Sequence, residues 1–360
     1  MAATSSSFIN LDDPDFKLYV AALTDALFPD RPHVVLNLID ESGSGETTAA
    51  RIARSLTDPT EVPTATLPRE ARDLFADFNS SHVLSYDNVS GILKPISDVL
   101  CQITSGFRKR RLRTDLDQIL VGGCRTVLLT SVSNAAVESD LAEQCVPLHL
   151  SHIAQRRSGA SLWKEFERER AAIFGALLDI VALGLKRLPH VTVPDPPRLL
   201  DFVLWGTAIE PAFGGLGSFF AAFAACQTTA LDSVFELNPV ATAIAAFMED
   251  RDGWDGTATE LWRELKACDR TEARLTETKG WPKDPISFGI ALTKTLPTLR
   301  KIGVEATRDR STSRKRTPTV HLRRIREVNQ PQHNTAAEGL EGSEGLSNPA
   351  GVKNIPFPET

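Results

Sequence analysis

The chain begins with a helical pattern of apolar positions. Between Asp15 and Phe28, the residues Phe16, Leu18, Tyr19, Ala22, Leu23 and Leu27 recur at helical spacing behind an Asp-Asp-Pro-Asp start suited to capping. The period then changes. His33-Val-Val-Leu-Asn-Leu-Ile39 is a short apolar run of the kind buried in a parallel sheet, and Val83-Leu-Ser-Tyr86 and Thr126-Val-Leu-Leu-Thr130 are two more. Helical patterns lie between them, including Thr47 to Leu56, which Asp58-Pro59 stops. Strand and helix in alternation predict an α/β domain over residues 1–155.

From Ser161 to Met248 the pattern is almost purely helical. Trp163, Phe166, Ile173, Leu177, Ile180 and Leu185 share one apolar stripe, read as core packing, and a helical domain is predicted over 156–250. A third unit is predicted over 251–327. Thr257-Ala-Thr-Glu260 has the capping-box pattern and opens a helix through Lys266; Pro285 to Leu299 reads as a second helix. Val304–Arg308 and Thr319–Ile325 read as two strands, and helix, helix and hairpin in that order suit a winged helix. Residues 328–360, rich in Gly, Asn, Pro, Glu and Ser, predict a disordered tail.

A chain of 360 residues with 42% hydrophobic and 24% charged residues is neither disordered nor fibrous as a whole, and calls for two or three domains. The net charge of −6 points to no nucleic-acid partner, but its distribution does. Residues 300–326 hold 10 basic and 2 acidic residues, whereas residues 1–299 hold 29 and 39. No apolar run approaches the length of a membrane span, and the first residues lack the pattern of a secretory leader, so a cytoplasmic chain without a membrane partner is expected. The five cysteines are scattered and read as reduced thiols. Cys145, His149 and His152 have zinc-like spacing without a fourth ligand, so no zinc is expected.

One loop carries candidate chemistry. Asp40-Glu-Ser-Gly-Ser-Gly45-Glu46-Thr47-Thr48 lies between a predicted strand and a predicted helix, the context of a phosphate-binding P-loop. Gly43, Ser44, Gly45, Glu46, Thr47 and Thr48 are therefore the candidate nucleotide-binding residues. Gly45 and Thr47 match the G-x-x-x-x-G-K-[ST] pattern; Asp40 replaces its first glycine and Glu46 its lysine. Downstream, the strand Val83–Tyr86 ends in Asp87-Asn88, which places an acid where Mg²⁺ is held beside phosphates.

A longer series of motifs follows in order. It comprises Pro68-Arg-Glu-Ala-Arg-Asp-Leu74, Asp87-Asn-Val-Ser-Gly91, Ser97-Asp-Val-Leu-Cys101, and Thr104-Ser-Gly-Phe-Arg-Lys-Arg-Arg-Leu-Arg-Thr-Asp115. Arg125-Thr-Val-Leu-Leu-Thr-Ser-Val132, Asp140-Leu-Ala-Glu-Gln144, Gly175-Ala-Leu-Leu-Asp179 and Pro197-Arg-Leu-Leu-Asp-Phe202 continue it. In these motifs, over roughly residues 14–300, the chain resembles the P-loop ATPases of prophages and integrative elements, AAA+ proteins related to replicative helicases and found beside primase functions. The resemblance implies an α/β P-loop domain with a helical lid, ATP and Mg²⁺ as cofactors, and assembly into a ring. It also implies roles for single positions: Thr47 and Asp87 on the metal, Asn88 beside them, Thr130 at the place of a polar sensor, and Gln144 at the place of an arginine finger. Three of the family's catalytic groups are thus replaced, by Glu46, Thr130 and Gln144, which predicts impaired or absent hydrolysis and weakens the reason for a hexamer.

Two basic clusters are candidate DNA contacts. Arg108, Lys109, Arg110, Arg111 and Arg113 fall where helicase-like AAA+ proteins place a hairpin facing a central channel. Arg314, Lys315 and Arg316 would lie at the tip of the wing, with Arg323, Arg324 and Arg326 along its second strand. The sequence therefore reads as a mobile-element ATPase-family protein that binds DNA in replication or maintenance. The alternatives are a non-enzymatic DNA-binding scaffold, or an active ATPase in which Arg51 or Arg54 takes the lysine's part.

Overall fold

The computed structural model describes residues 8–39, 45–112, 118–132, 139–153, 157–193, 196–236, 238–268, 275–278, 280–309 and 318–325. Helix α1 (Asp13–Asp25) starts as its sequence dictates, with the Asp12 carboxylate accepting the Asp15 amide at 2.9 Å and Pro14 in the first turn. Then come β1 (Val35–Ile39), α2 (Glu46–Thr57), α3 (Ala71–Ser80), β2 (Val83–Tyr86) and α4 (Lys94–Ser105). A hairpin of β3 (Phe107–Leu112) and β4 (Gln118–Gly123) leads into β5 (Thr126–Ser131), α5 (Ser139–Ala142) and β6 (Cys145–His149).

Strands β1, β2, β5 and β6 form a parallel sheet in the order β2-β5-β1-β6, and Ala65 adds a parallel bridge to Tyr86 beyond β2. The apolar runs are continuous because both faces are covered. Leu36, Leu38, Leu128, Val146 and Leu148 pack on one face with α1 and α2; Val35, Leu84, Tyr86, Val127 and Leu129 pack on the other with α3 and α4.

The carboxylate of Asp58, just past α2, ties that helix to the start of β2. It accepts from Arg54 (2.8 Å) and from the amides of His82 (2.8 Å) and Val83 (2.9 Å). Burial alone would raise its pKa, but the Val83 and His82 amides and the Arg54 guanidinium outweigh it and hold the carboxyl below its ordinary value. A depressed carboxylate stabilises the fold above its unfolded pKa of about 4 and loses that contribution as pH falls through the folded value. Asp58→Asn is therefore expected to cost about 1.5–3 kcal/mol at neutral pH and to lessen the loss of stability below about pH 4, as read by urea unfolding at a series of pH values.

Helices α6 (Gly159–Arg187), α7 (Leu200–Ile209) and α8 (Ser218–Glu236) do not enclose a core of their own. Phe166, Leu177, Phe202, Trp205 and Phe219 join the same cluster as Phe16, Tyr19 and Leu38. Close approach requires glycine at two places: a Cβ on Gly184 would meet Trp205 and Ile209 at 2.6 Å, and one on Gly206 would meet the Phe219 ring at 2.0 Å. The predicted stripe on α6 is core at Phe166 and Leu177, and Trp163, Ile173 and Ile180 pack partly against it. Leu185 departs from it, with 52% of its surface exposed.

The C-terminal cluster begins earlier than the pattern of residues predicts. Helix α9 (Pro239–Met248) puts Val240, Ile244, Phe247 and Met248 against Phe288 and Leu292 of α11 (Pro285–Lys301) and Leu261 of α10 (Ala258–Ala267). Strand β7 (Gly253–Thr257), which the pattern did not reveal, joins β8 (Val304–Arg308) and β9 (Thr319–Arg324) in an antiparallel sheet of order β7-β9-β8. The capping box on Thr257 and Glu260 forms as predicted, and Asp284 makes a second one with Ser287.

Candidate functional site

The carboxyl ends of β1, β5 and β2 lie side by side, where ligands of open α/β sheets bind. Helix α2 starts there at Gly45, whose φ of +95° is left-handed. A Cβ at Gly45 would find Ile153 at 3.5 Å, ordinary contact, so conformation and not space requires the glycine. Thr47, in the first turn, donates its hydroxyl to Asp87 Oδ1 at 3.0 Å and lies 3.3 Å from Oδ2. Thr130, at the end of β5, also donates to Asp87 Oδ1, and accepts the Asn88 amide at 2.9 Å. The Val89 amide closes the turn on the Thr130 carbonyl at 2.8 Å. Asn88 itself sits at φ +54°, a left-handed conformation no other non-glycine residue adopts among those described. The fold thus gathers Gly45, Glu46, Thr47, Thr48, Asp87, Asn88 and Thr130 from three separate segments; Gly43 and Ser44 lie outside the described residues.

The donor set fits a metal on one side. A threonine hydroxyl and an aspartate carboxylate at the ends of adjacent elements are the protein groups that hold Mg²⁺ in P-loop enzymes. The phosphate side does not fit. Glu46 opens α2 and brings negative charge to the helix end that would otherwise attract an anion. Of the two arginines on the helix, Arg51 lies over the Trp163 ring at 4.7 Å, and Arg54 is buried against Asp58.

Gln144 precedes β6 at the amino end of the sheet, at the opposite end of the strands from Asp87. It is 8% exposed and accepts the Thr104 hydroxyl at 2.7 Å. Sequence reasoning also missed a cleft of about 400 Å³ beside Asp87, lined by Thr66, Pro68, Arg69, Asn88 and Ser90 among others. The Pro68-Arg69 pair and the Asp87–Gly91 turn, quoted above as separate motifs, are its two walls. On the face of the sheet away from α2, Asn37 accepts from Ser131 at 3.0 Å, a buried polar pair hidden within apolar runs.

Of the basic candidates, Arg108, Lys109, Arg110 and Arg111 occupy β3 in register with Gly122, Val121, Leu120 and Ile119, so no acid stands opposite any of them. Arg113, Arg314, Lys315, Arg316 and Arg326 lie outside the described residues. On β9, Arg323 is engaged by Asp255 at 2.7 Å, which holds that exposed guanidinium's pKa above its ordinary value, and Arg324 donates to the Glu249 carbonyl. Burial pushes the Cys101 thiol up to about 11 and that of Cys226 to about 12. Among the described residues no group of three or more metal-ligating side chains converges, and no helix is long and apolar enough to cross a membrane.

Comparison with known proteins covers nearly the whole chain. Residues 8–240 match the family of actinomycete integrative conjugative element replication proteins, and residues 240–337 match the AICE RepA C-terminal domain. The junction at 240 falls at the start of α9, where packing changes from the first cluster to the C-terminal one. No curated protein matches. With its first 233 matched residues alone exceeding half its length, the chain belongs to the actinomycete integrative conjugative element replication protein family.

Proposed function

We propose that this replication protein acts by binding DNA through the β3–β4 hairpin and its C-terminal unit, around an ATPase-type core that has lost efficient hydrolysis. The observation that carries the reading is the Thr47–Asp87–Thr130 cluster, built at the carboxyl ends of parallel strands with β5 between β1 and β2. It supports descent from a nucleotide-binding core. Glu46 supports the loss of turnover, because it sets a carboxylate where phosphate charge would lie. The order α9-β7-α10-α11-β8-β9, with β9 central in its sheet, supports a winged helix at the C-terminus. The basic register of β3 supports contact with a phosphate backbone, which gives affinity without sequence reading.

A single preparation tests both halves. Full-length protein with Mg·ATP and single-stranded DNA is expected to bind the strand with steep salt dependence, and to release no phosphate that Asp87→Ala abolishes. Turnover lost on Asp87→Ala, or binding indifferent to salt between 50 and 200 mM, would refute the corresponding half.

A further inference from the structure

Helix α6 runs for 29 residues, yet only Phe166, Leu177 and Gly184 of it are buried. The face turned away from them is open. Phe174, Leu178 and Leu185 are 37%, 46% and 52% exposed, and Ala171, Gly175 and Ala182 between them are exposed as well. Ala171, Phe174, Leu178, Val181 and Leu185 alternate three and four apart, the spacing of a seam between two helices, over about 21 Å of axis. Asp179, the one charged residue between Ala171 and Leu185, lies off this seam and lines a cavity that α6 shares with α1 and α2. Large apolar side chains in line on an exposed face ask for a partner.

Gly175 shows how close that partner comes. Inside a helix glycine costs stability relative to alanine, because it surrenders more backbone freedom on folding. On this same helix Gly184 has a reason, since its Cβ would meet Trp205 and Ile209 at 2.6 Å. At Gly175 a Cβ would meet nothing within 4 Å. A glycine that the chain's own packing does not need, in the middle of an apolar stripe, leaves room for another helix to approach from outside.

The stripe fits a copy of itself. About a two-fold axis at Leu178, an antiparallel copy sets Phe174 opposite Ala182, Leu185 opposite Ala171 and Val181 opposite Gly175. Each large side chain meets a small one, which is how facing helices interdigitate. A parallel copy would instead set Phe174 on Phe174 and Gly175 on Gly175. In the antiparallel register Lys186 comes opposite Arg170, which lies 3.4 Å from Glu167, so both signs of charge are present at each end of the seam.

We propose that α6 pairs antiparallel with α6 of a second copy of this chain, centred on Leu178. The proposal is independent of the DNA-binding reading. Because one patch serves both partners, the contact closes at two copies, unlike the head-to-tail contact that builds a ring. About 21 Å of helix covers less than the roughly 800 Å² per partner of a standard interface, so the dimer is reversible and depends on concentration.

The test uses the full chain in sedimentation velocity over a dilution series. The natural chain is expected to pass from monomer to dimer as concentration rises. Gly175→Gln, which places a better helix former where the chain has open space, is expected to raise the thermal midpoint of the dilute monomer and to weaken dimerisation about tenfold or more. Oxidative cross-linking then fixes the register, with the natural chain and its exposed Cys268 as the blank. Leu178→Cys is expected to link to its own copy; Ala182→Cys is expected to link only when mixed with Phe174→Cys. A monomer at every concentration would overturn the proposal. So would a dimer, or a larger assembly, that Gly175→Gln leaves unchanged. Ala182→Cys linking to itself as readily as Leu178→Cys would overturn the two-fold register. A lowered thermal midpoint in Gly175→Gln would return the glycine to the chain's own packing and overturn the argument built on it.

Discussion

Glu46→Lys is expected to tighten binding of a fluorescent Mg·ATP analogue at least a hundredfold. A carboxylate about 4 Å from a phosphate charge is repelled by roughly 4 kcal/mol at an effective dielectric near 20, and a lysine there reverses the sign. Every tenfold in affinity is about 1.4 kcal/mol, so a hundredfold asks for only part of that swing. Two of the remaining parts are in place: Gly45 has the left-handed turn, and Thr47 touches Asp87. Titration at fixed Mg²⁺ reads the change. No gain in the lysine variant would mean that the loop before Gly45 does not shape a phosphate site, whatever its charge. Binding regained without turnover would direct attention to Thr130 and to the missing finger.

Trp205→Ala is expected to cost about 3–5 kcal/mol of stability, the largest effect of any single truncation in this fold. The indole is fully buried, donates Nε1–H to Thr24 at 2.9 Å, meets Phe28 edge-on at 4.8 Å and carries the Arg31 guanidinium on its face at 4.9 Å. Removing it opens a void between α7 and α1. It also leaves the Thr24 hydroxyl, itself donating to the Val20 carbonyl, without its donor. Thermal unfolding followed by circular dichroism measures the loss. Trp205→Phe, which keeps much of the volume and forfeits the hydrogen bond, is expected to cost clearly less.

What could be read from the residues alone was what is local. The capping boxes at Thr257, the stop at Asp58-Pro59 and the strands ending at Ile39, Tyr86 and Thr130 follow from near neighbours, and each forms within a residue or two of its predicted bounds. The Gly45–Thr47 turn and the acid at Asp87 were visible for the same reason. What depended on remote partners was not. Strand β7 is Gly-Trp-Asp-Gly-Thr, without alternation, and becomes a strand only because β9 offers it hydrogen bonds. The burial of Gln144 could not be seen because its partner, Thr104, is 40 residues away. The start of α9 did leave a signal that helical periodicity overrode: Asn238-Pro239 is a cap followed by a first-turn proline, and Asn238 indeed accepts the amides of Val240 and Ala241.

One strand joins the Asp87 turn to the basic hairpin. β5 bears Thr130, bonded to Asp87, at its carboxyl end, and three residues before its amino end the basic hairpin closes at Gly123. It is hydrogen-bonded along both edges, to β1 and to β2, so it cannot bend or stretch independently of the sheet. The two ends of β5 are therefore held about 20 Å apart by the sheet itself, and the Asp87 turn and the root of the hairpin belong to one rigid body.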